Sequence, residues 1–314
     1  MAVGDLQAAE DLFPGLSKKT RLLVEEAWAA RLAHFPMEIR WVYPQATEPV
    51  SLTASKCALD CAHCGGHYLE HMTPLEQALQ MANAGQSTTG RIPAAPARSY
   101  LISGGCDRQG KVPVLPNIGQ VAELSRRGRL NFHVGLVGDE EARVIGRYAD
   151  SISFDFVGSD ETIAEIYGLN RRVEDYVESY QALRRHARVI PHICIGLHGG
   201  EIRGEWRALS LLKELGTDGL ALSSSPPTPG TRLALAPPPP VEEVAGILAR
   251  ARLDFPEIPI SLGCMRPGGR YRSLVDSLAV RCGVNKIVIP ARRAVAYAVQ
   301  QGLTGSREDE CCVL

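Results

Sequence analysis

The segment Lys56-Cys57-Ala58-Leu59-Asp60-Cys61-Ala62-His63-Cys64-Gly65-Gly66 carries three cysteines at the spacing C-x3-C-x2-C. Three thiolates on one short loop can wrap one face of a cube of iron and sulfur and leave the remaining iron without a protein ligand. An open iron is what a cluster needs if it is to bind a small molecule rather than only carry electrons. Zinc is the competing reading, but it usually takes four ligands from paired elements, and no second cysteine pair stands at finger spacing. A chance grouping of structural thiols is the third. Within the loop, Asp60 and His63 are placed to tune a bound metal through charge or hydrogen bonds.

The elements that must position this loop emerge from the apolar patterning. Short apolar runs at 39–43 with 50–53, then 100–103, 132–136, 152–156, 189–196, 219–223, 258–262 and 286–289 alternate with helix candidates at 75–84, 118–127, 140–148, 173–185, 206–215, 241–252, 271–281 and 292–300. Continuous apolar runs predict strands buried on both faces, and helical crossovers predict a parallel sheet. The expected fold is therefore α/β, a (βα)8 TIM-type barrel, full or partial, with an open form of six strands as the near alternative. Residues 1–38 read as an N-terminal helical extension with Ser17 as N-cap, 39–300 as the barrel and 301–314 as a cysteine-bearing tail.

Barrel active sites collect where strands end. The cysteine triplet follows the first strand region, Gly104-Gly105-Cys106 the second, and His133 lies in the third. Asp155 ends the fourth, Cys194 and His198 follow the fifth, residues 223–231 the sixth, and Cys264-Met265-Arg266 the seventh. Each glycine or proline alone could be turn chemistry, and each lone cysteine a small buried hydrophobe. The Ser223–Ser225 run lacks the strained G-x-S-x-G elbow of a hydrolase.

The 314 residues carry a formal net charge of −1, so no global positive field exists to attract nucleic acid or an anionic membrane. No apolar run is long enough to span a bilayer, and the acidic N-terminus lacks the basic stretch of a secretory signal. A cytoplasmic setting is expected, and there nine cysteines, an odd number, argue for metal ligation or catalysis over a disulfide framework. The last five residues, Glu310-Cys311-Cys312-Val313-Leu314, formally fit a prenylation box; a tail folded over the barrel mouth to ligate iron, or an idle one, are the other readings.

The triplet resembles the signature of the radical S-adenosylmethionine superfamily, and the resemblance extends over roughly residues 39–291, with His63 where an aromatic residue usually precedes the third cysteine. It implies a [4Fe–4S] cluster on Cys57, Cys61 and Cys64, with S-adenosylmethionine chelating the open iron and split into methionine and a 5′-deoxyadenosyl radical. Ser103-Gly104-Gly105 is similar to the glycine pair that binds the methionine amino group. Residues 135–138 and Asp155 fall at ribose-facing positions, and the 189–200 strand and turn, with His198, at the adenine side. His63, Ser103, Gly104, Gly105, Asp155 and His198 are thus the implied cofactor contacts.

Cys106, Cys194 and Cys264, with Arg266 and the tail cysteines Cys311 and Cys312, resemble in part the auxiliary-cluster site of biotin synthase, although His133 stands where that enzyme takes a third-strand cysteine. The strings 101–107, 196–201 and 263–267 look most like a subunit of the two-component, archaeal-type lipoyl synthase. That likeness implies sulfur insertion into an octanoyl chain on a lysine of an acceptor protein, a second radical enzyme as partner, and an electron donor such as ferredoxin or flavodoxin. A biotin-synthase-like or maturase-like enzyme of other substrate, and a non-catalytic iron–sulfur carrier or scaffold, stand as alternatives; the glycine pair argues against the carrier, which needs no cofactor cleft.

Overall fold

The computed structural model describes residues 13, 15–85 and 96–314; most of the segment before Ser17 lies outside it. The first helix, α1 (Lys18–His34), begins at the predicted cap, where the Ser17 side chain accepts from Thr20 N–H at 3.2 Å. It is followed by β1 (Glu38–Val42), β2 (Thr47–Ser51), β3 (Thr73–Pro74), α2 (Leu75–Asn83), β4 (Ser99–Ser103), α3 (Ile118–Leu124), β5 (Arg129–His133), α4 (Asp139–Gly146), β6 (Ser151–Asp155) and α5 (Asp160–Glu165). The chain continues through α6 (Val173–Arg184), β7 (Val189–Ile195), α7 (Glu205–Leu215), β8 (Leu220–Ser224), α8 (Val241–Asp254), β9 (Ile260–Leu262), α9 (Gly269–Arg281), β10 (Lys286–Val288), α10 (Arg292–Gln300) and β11 (Thr304–Glu308). No described helix is long and apolar enough to cross a membrane.

All paired strands are parallel, in the order β11-β1-β10-β9-β8-β7-β6-β5-β4-β2-β3. The sheet curls into a TIM-like half-barrel with helices outside, and residues 43–46 carry the chain from the β1 edge to the β2 edge. This is the predicted α/β class in its partial form.

One expectation changes. The strands are not apolar on both faces. Their outward residues (Leu130 and Phe132, Ile152 and Phe154, Val189 and Ile193) form the core under the helices. Most of their inward alternates are polar (Asn131 and His133, Ser151, Ser153 and Asp155, His192 and Cys194), whereas Ile190 near the start of β7 is apolar. Period-two alternation is built into a strand, but serine and cysteine among β-branched residues blur it in a hydropathy reading. The outer face thus supplies the burial that stabilises the fold, leaving the inner face free for chemistry.

The tail also departs from expectation. Residues 304–308 add a strand beside β1, although TGSRE has neither apolar content nor alternation; backbone pairing with Glu38–Val42 holds it, with Glu308 ion-paired to Arg40 and Lys286. The chain then crosses the end where the strands begin, opposite the mouth. Cys311 N–H donates to Thr47 Oγ1 at 2.7 Å, Arg188 donates to the Val313 carbonyl at 2.6 Å, and Arg98 and Arg129 pair with Asp309 and Glu310. Val313 is buried with Ile190 and Ala221. The tail is a floor, not a cover over the mouth.

Candidate active site at the barrel mouth

The cysteine loop leaves β2 at the mouth and is fixed along its length by backbone bonds. Ala58 N–H donates to the Cys106 carbonyl at 2.8 Å, Ala62 N–H to Ile166 at 2.7 Å, and Leu233 N–H to Ala62 at 3.1 Å. Cys64 and Gly65 N–H groups both turn back to the Cys61 carbonyl, and the positive φ of Gly65 and Gly66 (52° and 81°) carries the chain out of that turn.

Gly105 explains the glycine pair physically. Its N–H donates to Thr53 Oγ1 at 2.7 Å, and a Cβ there would stand 2.0 Å from the Lys56 carbonyl oxygen and 2.7 Å from Cys57 Cα. The backbone after β4 therefore lies against the cysteine loop itself, and Cys106 N–H points at Cys57 Sγ at 3.3 Å. A groove of about 740 Å³ lined by Thr53, Lys56, Cys57 and Gly105 opens beside this contact.

Cys57, Cys61 and Cys64 are free thiols. Burial, then the neighbouring Cys64 and Cys57 charges, push the Cys61 thiol up to about 12. A thiol held neutral in this way fits a site for a cationic group, which would offset both causes. The three cysteine sulfurs do not form a trio within 4.8 Å of one another, as only His67, Glu70 and His71 do among the described residues. One tetrahedral zinc would hold sulfurs about 3.8 Å apart, from bonds of about 2.3 Å; the wider set suits a cluster face. His63 Nδ1 is buried without a partner, its ring edge-on to Tyr167 at 5.1 Å, and burial lowers its pKa against the pull of Asp155. An orphaned buried nitrogen beside the thiols also fits an absent group, since buried polar atoms are normally satisfied.

Deeper in, His133 Nε2 lies 3.2 Å from Asp155 Oδ2, and the His192 ring stacks on His133 at 6.2 Å. Burial disfavours the Asp155 charge, but the His133 imidazole outweighs it and holds the carboxyl at about 2. Burial likewise opposes a charge on His133, and Asp155 overrides it, so that pKa is raised. Both side chains still reach solvent through the cavity (36% and 47% exposed), which screens the pair. His192 donates through Nδ1 to the Ile190 carbonyl at 3.0 Å, leaving Nε2 as acceptor, and burial lowers its pKa to about 4.

Of the residues singled out by sequence, Cys57, Cys61, Cys64, His63, Gly104, Gly105 and Cys106 gather at the mouth, and Ser103 Oγ donates to the His133 carbonyl at 2.8 Å. His198 stands to one side, between Thr162 Oγ1 (3.2 Å) and Glu165 Oε2 (3.4 Å) of α5. The second sulfur group divides. Cys106 belongs to the cysteine loop. Cys194 faces the interior, its thiol pushed by burial to about 12, whereas Cys264, Cys311 and Cys312 lie close enough to influence one another's ionisation. Cys311 is lowered to about 7, by its hydrogen bond to Cys312 and with help from Asn131.

Arg266 is spoken for. Its Nε meets Asp276 at 2.7 Å, both side chains fully buried, and its Nη atoms serve the carbonyls of Gly263 and Val288. Thr53 and Tyr167 are positioning residues that the sequence does not advertise. Thr53 acts through one hydroxyl, and Tyr167 through its ring and a carbonyl that accepts from Cys61 Sγ at 3.7 Å.

The site is thus an α/β half-barrel that presents three free thiols on one mouth loop, with polar side chains lining its interior. In sequence the chain is 27% identical over 265 residues to the biotin synthase of Desulforudis audaxviator (strain MP104C), covering 76% of this chain and 73% of that one. In fold it is similar to methylornithine synthase (PylB; TM-score 0.64, 14% identity, 97% and 94% of the two chains). It is also similar to the FeFe-hydrogenase maturase HydG from Carboxydothermus hydrogenoformans (TM-score 0.64, 13% identity, 96% and 75%). No family model matches the sequence. The chain is thus similar in sequence to a biotin synthase, and its fold is similar to those of methylornithine synthase and HydG.

Proposed function

We propose that Cys57, Cys61 and Cys64 hold a [4Fe–4S] cluster at the barrel mouth and that S-adenosylmethionine binds beside it, against Gly104 and Gly105. Bound there, the two supply a 5′-deoxyadenosyl radical by one-electron cleavage of the sulfonium. The protein's own residues hold the reactants and keep water out. Gly105 brings backbone against the loop, Thr53 fixes that backbone, and Tyr167 packs on His63. Asp155, fixed as a carboxylate by His133, is an acceptor for cofactor hydroxyls. The observation that carries the reading is the close approach of Gly105 to Lys56 and Cys57, which gives the cysteine loop one geometry.

For the substrate we favour sulfur insertion into an octanoyl chain borne on the lysine of an acceptor protein. The chain would act in the cytoplasm as one subunit of a two-component lipoyl synthase, with a second radical enzyme and a ferredoxin or flavodoxin as partners. Cys194, Cys264, Cys311 and Cys312 are then the candidates for an auxiliary cluster that donates sulfide; Cys106 and Arg266, engaged elsewhere, are not in that set.

The polar interior favours a second reading, a biotin-synthase-like enzyme acting on a small polar substrate bound by His133, Asp155 and His192. Anaerobic reconstitution tests both. Cys57→Ala/Cys61→Ala/Cys64→Ala should lose about four irons and all 5′-deoxyadenosine formation. Cys264→Ala should lose further iron relative to the parent if sulfur insertion is right, and none if the polar-substrate reading is right. Failure of the reduced, cluster-loaded protein to cleave S-adenosylmethionine, with partner and substrate supplied, would sink the reading.

A further inference from the structure

Directly after the cysteine loop's glycine hinge, the chain forms a single 3-10 turn, His67–His71, that the catalytic reading does not use. Its inner side is fixed: Leu69 is buried, and the Tyr68 hydroxyl lies 2.8 Å from Thr228 Oγ1 in the loop after β8. Its outer side presents His67, Glu70 and His71. Residues three apart eclipse one another in a 3-10 helix, which puts Glu70 Oε2 3.9 Å from His67 Nδ1. The next residue brings the His71 ring to 5.3 Å from that of His67. One ligand atom from each of the three side chains lies within 4.8 Å of the other two.

We propose that this turn is a binding site for one zinc ion, held by His67, Glu70 and His71 with water in the fourth position. Two imidazoles and a carboxylate are a donor set zinc takes in open tetrahedral sites, and the imidazole majority disfavours magnesium and calcium. Zinc bonds of about 2.0–2.1 Å set ligand atoms roughly 3.4 Å apart, so each ligand atom in the present spread, within 4.8 Å, has little more than an ångström to close. Glu70 and His71 are exposed.

The consequence lies next door. Gly65 and Gly66 join the turn to Cys64, and the Thr231 methyl carbon lies 3.7 Å from where a Gly65 Cβ would be. A metal link across the turn would hold the end of the cysteine loop against the 228–231 loop. The inference does not rest on the catalytic reading, because none of its ligands is a proposed cluster ligand.

The test uses the cluster-loaded protein, freed of loose metal with a chelator and titrated with zinc sulfate under anaerobic conditions. One zinc per chain is expected in addition to the iron, with nitrogen and oxygen neighbours at about 2.0–2.1 Å in zinc X-ray absorption. His67→Ala/His71→Ala should lose that equivalent while keeping its iron and circular dichroism, and Glu70→Gln should weaken binding at least about tenfold. The Cys57→Ala/Cys61→Ala/Cys64→Ala protein should keep the zinc that the double histidine variant loses. Equal zinc in the parent and the double histidine variant, or sulfur neighbours at about 2.3 Å, would overturn the proposal.

Discussion

Adding one methyl group at Gly105 perturbs the proposed centre without removing a proposed cluster ligand. The new Cβ would meet the Lys56 carbonyl at 2.0 Å, whereas real Cβ contacts essentially never fall under 3.0 Å, so the cysteine loop must retreat by at least 1.0 Å. Neither contact is a flexible side-chain tip: one is the Lys56 carbonyl and the other the Cys57 backbone. Overpacking of this kind costs about 1–3 kcal/mol, and a misplacement of about 1 Å costs on the order of a hundredfold in rate. Gly105→Ala should therefore fold, reconstitute with less iron, and form 5′-deoxyadenosine at about one-hundredth of the parent rate or below. Gly104→Ala is the control, because its Cβ would meet Thr53 Oγ1 at 3.1 Å and two backbone nitrogens at 3.3 Å, a clash relieved by a few tenths of an ångström. Iron analysis, single-turnover cleavage and denaturant unfolding of both variants make the comparison. A Gly105→Ala protein with parental iron and a cleavage rate within a few-fold of the parent would refute the argument that this contact sets the loop.

Other outcomes follow from buried groups. Arg266→Ala leaves Asp276 charged and fully buried with only Ala291 N–H and the more distant Arg272 for company, so unfolding free energy should fall by about 3–5 kcal/mol in denaturant titrations. Val313→Ala removes about two buried methylene equivalents from the floor, a loss of about 1.6 kcal/mol by the same measurement. In the cluster-free protein, the raised pKa of His133 gives stability that is complete below its ordinary value of 6.5 and fades as pH rises through the folded value. The depressed pKa of Asp155 gives stability present above 3.8 and lost as pH falls toward about 2. Asp155→Asn should abolish the decline above pH 6.5 and lower the His133 titration seen by NMR, and an unchanged His133 titration would count against the pair.

Much of this was legible from spacing alone. Cys57, Cys61 and Cys64 stand out because their chemistry is local in sequence, and β4, β6 and β7 because their outward residues are apolar enough to mark each strand. The inward face escaped that reading because Ser151, Ser153 and Asp155 alternate with Ile152 and Phe154 over too few residues to separate from a mixed buried strand. Strand β11 has no apolar signal: its place depends on backbone pairing with β1, a contact between residues more than 260 apart in sequence. The Gly105 contact is hidden for the same reason, since a glycine's role is set by what approaches it. The tail cysteines were noticed, but their position at the floor rests on Arg188, Thr47 and Asn131, none of which a sequence pattern links to residues 311–313.

The polar interior bears directly on the substrate. An alkyl chain laid along the inner wall would cover the part-exposed, charged Asp155–His133 pair without offering it a hydrogen bond, and burying polar groups unpaired costs about 1–3 kcal/mol each. The octanoyl reading therefore needs another occupant of the wall. Cys194, Cys264, Cys311 and Cys312 could supply one by ligating an auxiliary cluster, whose sulfides and iron would take the polar contacts and present sulfur to the chain. Sulfur insertion and a second cluster consequently stand or fall together in this molecule. If Cys264→Ala holds as much iron as the parent after reconstitution, the wall remains open and charged, and the substrate must bring polar groups to meet His133, Asp155 and His192.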